Sequence, residues 1–148
     1  MKSNRVALVV SGAVAVVLVA CGGAAPPAAN AGGAAEGGDQ VSMGQALYGK
    51  ECASCHGAGG EGKDAPAVVG KTALPLDPPA GSKARKNQFH NVADVFEFVH
   101  KAMPGDKPGT LTEEQYWAIL AFDLKANGVD LGGKKLDATS APSFVLHP

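Results

Sequence analysis

Five consecutive residues, Cys52-Ala53-Ser54-Cys55-His56, constrain this chain more than any others. Two thiols three apart, with an imidazole directly after the second, suit a zinc ion, a reversible disulfide or a covalently attached haem. The choice bears on the fold because the chain is poor in bulk. Its 148 residues include five Phe, two Tyr and one Trp, against twenty Gly and ten Pro. A small domain with so little large apolar material needs a disulfide, a metal or a cofactor to complete its core. Only three cysteines are present to supply the link.

The rest of the sequence separates the three readings. A structural zinc needs four ligands, and no second Cys-x-x-Cys or His-x-His cluster completes the set. A thioredoxin-like dithiol sits in a βαβ context, and no stretch here alternates as a strand. Cys-x-x-Cys-His is the signature of c-type haem attachment. Three residues along a helical turn put both sulfurs on one edge, where each can add to a haem vinyl group, and His56 follows as an iron ligand. A sixth ligand is then needed, and thioether sulfur pairs with histidine in such centres. Met103, in the Pro-fixed loop "KAMPGDKPG", is the candidate; His90 and His100 compete with it, whereas Met43 stands at the head of the first helix.

The N-terminus supplies the compartment. Lys2 and Arg5 precede an apolar run from Val6 to Val19, closed by Leu18-Val19-Ala20-Cys21. A basic start, a short apolar run and small residues read as an export signal over 1–20 rather than a spanning helix. The tetrapeptide resembles a bacterial lipobox, which implies lipid attachment at Cys21, a membrane anchor, and a periplasmic or other extracytoplasmic site where thiols meet oxidising conditions. Residues 21–42, rich in Gly, Ala and Pro, read as a tether without enough apolar surface to pack.

A helix is expected from Met43, capped by Ser42 and leading to Cys52. Residues 57–69 and 71–88 read as loops. Val92, Val95, Phe96, Val99 and Ala102 mark a second helix, with Asn91 as cap and an end forced before Pro104. The third runs from Glu113 to Ala126, opened by the Thr112/Gln115 capping box and stopped at Asn127-Gly128. The tail over 129–148 is irregular and packs on the domain through Leu131, Leu136 and Phe144. Lys83, Arg85 and Lys86 read as a solvated basic face, the alternative being Arg85, Lys86 and Asn87 as candidate partners of haem propionates. The net charge of −1 gives no reason to expect nucleic acid as a partner.

Residues 43–128 resemble a class I c-type cytochrome domain, on the strength of "GQALYGKECASCHGAGGEG", then "AP", then "MPG", then "LTEEQYWAILAFDLKANG". The resemblance implies an all-α shell around one covalent haem c, with first and last helices crossing where Gly44 meets Trp117 or Leu120. It also implies that the carbonyl of Pro66 accepts a hydrogen bond from the imidazole of His56. The expected function is electron transfer with His56 and Met103 as the iron ligands and no enzymatic step, the partners being dehydrogenases, oxidases or other cytochromes. Two alternatives remain: a haem-bearing subunit of a dehydrogenase or oxidase complex, and a haem peroxidase or gas sensor with an open sixth position.

Overall fold

The computed structural model describes residues 37–147. The export signal expected over 1–20, the lipidation site Cys21 and most of the tether lie outside the described residues. Among the described residues four helices follow in order: α1 (Gly37–Glu51), the single turn α2 (Ala53–His56), α3 (Val92–Ala102) and α4 (Glu113–Ala126). A 3-10 turn at Ala141–Ser143 closes the sequence of elements. Among the described residues the β pairing is limited to an isolated bridge between Asn91 and Val145. The fold is all-α, as the sequence implied.

The caps of α3 and α4 lie where local sequence puts them. Asn91 accepts from the backbone N–H groups of Ala93 and Asp94, and the Asp94 carboxylate accepts from the Asn91 N–H at 3.0 Å. Thr112 and Gln115 make the same reciprocal pair at the head of α4. Each pair satisfies helix N–H groups that would otherwise lack partners.

Helix α1 departs from expectation. It begins at Gly37 instead of Met43, and Ser42 lies inside it, its hydroxyl donating to the Gly38 carbonyl at 3.0 Å. Glycines at 37 and 38 each disfavour a helix by about 1 kcal/mol relative to Ala, so local propensity does not explain this start. A distant contact does. Gln40 is buried, donates to the Leu136 carbonyl at 2.7 Å and accepts from the Leu136 N–H at 2.7 Å. The end of the expected tether is therefore held by the far end of the chain.

Helix α4 is the spine, with eight of its residues buried between α1 on one side and the core on the other. It crosses α1 at Gly44, where a β-carbon would overlap the Ala118 carbonyl oxygen. The contact falls between the expected neighbours, Trp117 and Leu120: it is backbone to backbone at Ala118, itself fully buried. One turn further along α1, Tyr48 packs on Phe122 with ring centroids 5.2 Å apart.

The core joins Val92 and Val95 of α3, Trp117, Leu120 and Leu124 of α4, and Leu131, Leu136 and Ala141 of the tail. Phe96 stacks face to face on Trp117, with centroids 3.6 Å apart and planes 6° from parallel. The tail also braces the long loop before α3: Leu146 N–H donates to the His90 carbonyl at 2.8 Å, and the His147 ring bonds to the Leu74 carbonyl at 2.8 Å. These ties leave the loop as one wall of a space that the helices do not fill.

Candidate functional site

The motif is presented by the continuation of α1. Cys52 N–H donates to the Tyr48 carbonyl at 2.9 Å, and His56 N–H to the Cys52 carbonyl at 2.9 Å, so the helical path runs through both cysteines. Neither thiol is bridged. Burial pushes the Cys52 thiol up to about 12, helped by the nearby Asp123 and Glu51 carboxylates. With no partner bound it is a protonated thiol at neutral pH.

After His56 the chain turns sharply at Gly57, Gly60 and Gly62, each at positive φ, a conformation that glycine adopts without steric cost. At Gly60 a β-carbon would also meet the Val69 side chain. The loop folds back under the motif: Asp64 and Ala65 N–H groups both donate to the Cys55 carbonyl at 2.9 Å. This return brings the Pro66 carbonyl to 2.7 Å from His56 Nδ1. A carbonyl only accepts, so Nδ1 carries the proton and Nε2 is left with its lone pair, free to bind a metal.

Met103 follows α3 directly. Its N–H donates to the Val99 carbonyl at 2.9 Å as the helix ends, and its carbonyl accepts from the Tyr116 hydroxyl at 2.6 Å. The next residues are tied to the motif by an ion pair, Lys107 Nζ to a Glu51 carboxylate oxygen at 2.6 Å. The Met103 loop is thus fastened to α4 on one side and to the end of α1 on the other.

Two adjoining cavities occupy the unfilled space, of about 310 Å³ and 510 Å³, and both are mainly apolar. His56, Val68, Val99 and Met103 line both. Cys52 and Cys55 line the first, and Pro66 and Arg85 the second. Cys52, Cys55, His56 and Met103 therefore converge on this pair of adjoining cavities. His90 and His100 line neither cavity. His90 is exposed and bonds to Gln88 at 3.1 Å, while His100 stacks on Phe96 and meets the edge of Tyr116. Met43 is 45% exposed on α1 and also lies away from the site.

Two buried charged groups stand in the walls. Arg85, expected on a solvated face, is only 4% exposed. Its terminal nitrogens donate to the Pro75 and Asp77 carbonyls, its guanidinium sits 3.9 Å above the Phe89 ring, and its Nε has no partner among the described residues. Lys83 and Lys86 beside it are exposed, as expected. Asp123 lines the first cavity, and one of its carboxylate oxygens is also without a partner. Burial pushes its pKa up to about 8. Its position was visible as a lone acid in the apolar run "WAILAFDL", and Arg85 stands four residues before Phe89; neither signal reveals burial without the chain path.

Residues 39–122 match the family described as cytochrome C oxidase, cbb3-type, subunit III. The chain is 28% identical over 90 residues to a thiosulfate dehydrogenase of Stutzerimonas stutzeri, a match covering 59% of this chain and 27% of that protein. It is also similar to the crystal structure of the sulfane dehydrogenase SoxCD from Paracoccus pantotrophus, with a TM-score of 0.55 and 27% identity over 75% of this chain and 58% of that one. The chain thus spans about a quarter of the first relative and just over half of the second.

Proposed function

The chain belongs to the family of cbb3-type cytochrome c oxidase subunit III, and on that premise we propose that its c-type cytochrome domain carries electrons with one covalent haem, bound through Cys52 and Cys55 and held axially by His56 and Met103. The observation that carries this reading is convergence. Residues 47 positions apart, His56 and Met103, line the same two cavities, with both cysteines at one of them. The walls fit such a group. They are mainly apolar, and a buried guanidinium with an unpartnered Nε offers a donor for an acidic substituent.

When bound, the haem supplies reversible one-electron chemistry at its iron. The chain's residues set the conditions for it. His56 Nδ1 donates to the Pro66 carbonyl, which fixes the ring's tautomer and makes Nε2 a stronger donor. Tyr116 holds the Met103 backbone in place. Val68 and Val99 give the space the two ligands share an apolar lining. If His56 and Met103 both bound the iron, the chain would leave no position for a substrate, and the domain would carry electrons without bond chemistry of its own. An export signal and a lipid on Cys21 would place it at a membrane, outside the cytoplasm, among redox partner proteins.

The test is Met103. Thioether is a weaker donor than imidazole to the ferric ion, so it favours the reduced state. Met103→His is expected to stay six-coordinate and low-spin at a lower potential. Met103→Ala is expected to bind carbon monoxide readily. An unchanged spectrum and potential in Met103→Ala would place the ligand elsewhere, and rapid carbon monoxide binding by the unaltered protein would favour a sensor or peroxidase. A second reading, a haem subunit of a dehydrogenase complex, is favoured by the relatives' names and greater length. Copurification with a larger oxidoreductase chain would distinguish it from a free carrier.

A further inference from the structure

Asn127 lies outside both cavities, yet every hydrogen-bonding group of its side chain is used. Its Nδ2 donates to the Val68 carbonyl at 2.8 Å and to the Asp123 carbonyl at 2.8 Å, while its Oδ1 accepts from the Gly70 N–H at 2.9 Å. The side chain thus caps α4 and grips the loop of the motif 57 and 59 residues away. Only one orientation of the amide matches two carbonyls and one N–H, and no other side chain of this length offers two donors and an acceptor in that arrangement.

The gripped segment carries Pro66. From residue 66 to residue 70, the hydrogen bonds to side chains are the one from His56 Nδ1 to the Pro66 carbonyl and the two made with Asn127, which donates to the Val68 carbonyl and accepts from the Gly70 N–H; the Gly70 carbonyl accepts from the Ala73 N–H three residues on. Val68 and Val69 N–H groups otherwise donate within the loop, to the Gly60 carbonyl. The distance between Pro66 and His56 is accordingly set from two sides, by the glycine turn beneath the motif and by Asn127 at the end of α4. We infer that Asn127 is a positioning residue for the axial histidine: it clamps the 66–70 segment so that the Pro66 carbonyl stays within hydrogen-bond reach of His56 Nδ1, and thereby sets the donor strength of Nε2.

This inference rests on the electron-carrier reading above, in which His56 binds the iron. Releasing the clamp loosens the hydrogen bond. A less strongly bonded imidazole is a poorer donor, stabilises the oxidised state less, and raises the potential. A residue that served only as a helix cap would lower stability and move neither quantity.

The experiment uses the holoprotein and three variants. Asn127→Ala removes all three bonds, whereas Asn127→Asp keeps an acceptor for Gly70 but loses both donors. Gly128→Ala weakens the same helix end without touching the clamp, because residue 128 sits at φ +81° in open space. Nuclear magnetic resonance of the reduced protein follows solvent exchange of the His56 Nδ1 proton, and a redox titration gives the potential. Both Asn127 variants are expected to speed that exchange roughly five- to tenfold, the scale of one lost hydrogen bond, and to shift the potential upward. Gly128→Ala is expected to lower the unfolding temperature alone. The aspartate variant gives the same comparison where the alanine variant does not accumulate. If the Asn127 variants matched Gly128→Ala, with exchange and potential unchanged, the clamp would be overturned while the electron carrier stood. If the unaltered protein showed no ligand imidazole proton from His56, both would fall.

Discussion

Asp123 is where a single side chain most clearly conflicts with its surroundings. It lies in a helix of apolar neighbours, one oxygen unpartnered, with its pKa raised to about 8 by burial. The unfolded chain releases this proton near the ordinary value of 3.8, whereas the folded chain keeps it to about 8. Between those values the folded state binds the extra proton, so rising pH favours unfolding, by at most about 1.4 kcal/mol per pH unit. Asp123 is therefore expected to lower stability progressively from about pH 4 to about pH 8, and Asp123→Asn to flatten that slope. Urea melts at several pH values check it; parallel slopes in the two proteins would show that the carboxyl ionises freely. Tyr48 and Cys52, which face it from α1 and the turn after it, are also raised, both mainly by burial. All three shifts run in the direction that disfavours charge on this side of the cavity.

Among the elements, the crossing of α1 and α4 decides where the motif is placed. Cys52 and Cys55 follow directly from α1, so their position against the cavity depends on how closely α1 approaches α4. Gly44 permits that approach because the Ala118 carbonyl occupies the volume a β-carbon would need. The obstacle is backbone, which cannot rotate away as a side chain could. Gly44→Ala is expected to destabilise the fold by about 1–3 kcal/mol, as overpacking does, although alanine is the better helix former. Denaturant unfolding checks the sign: a more stable variant would mean that helix propensity outweighs the crossing. Gly49, with open space around its position, should tolerate the same change and serves as the control.

At the scale of the whole molecule, the tail is part of the domain's core and not an appendage. Leu136 is fully buried, and its backbone N–H and carbonyl both pair with Gln40 at the start of α1. Leu136→Ala is expected to cost about 2–5 kcal/mol, the range for a buried leucine, with thermal unfolding of the holoprotein as the measurement. Loss below about 1 kcal/mol would show that the tail merely rests on the core. The anchor proposed at Cys21 belongs to the same scale. Cys21→Ser is expected to release a soluble protein with an unchanged visible spectrum, read by fractionation of cells. Retention of that variant in the membrane fraction would require another anchor.

Cys52, Cys55 and His56, the caps Asn91 and Thr112, and the end of α3 before Pro104 were legible in the sequence because each depends on residues within a few positions. Capping, the proline restriction and the spacing of motif side chains are local backbone effects. The same is true of the all-α class, since the helical patterns of α3 and α4 are complete within their own segments. The start of α1, the burial of Arg85 and the grip of Asn127 were decided only by tertiary structure. Gln40 finds its partner 96 residues away, Arg85 is covered by the return of its own loop, and Asn127 holds residues 57 and 59 positions before it. A polar side chain can be buried where a folded backbone satisfies it, and no stretch of sequence around such a residue states which backbone will arrive.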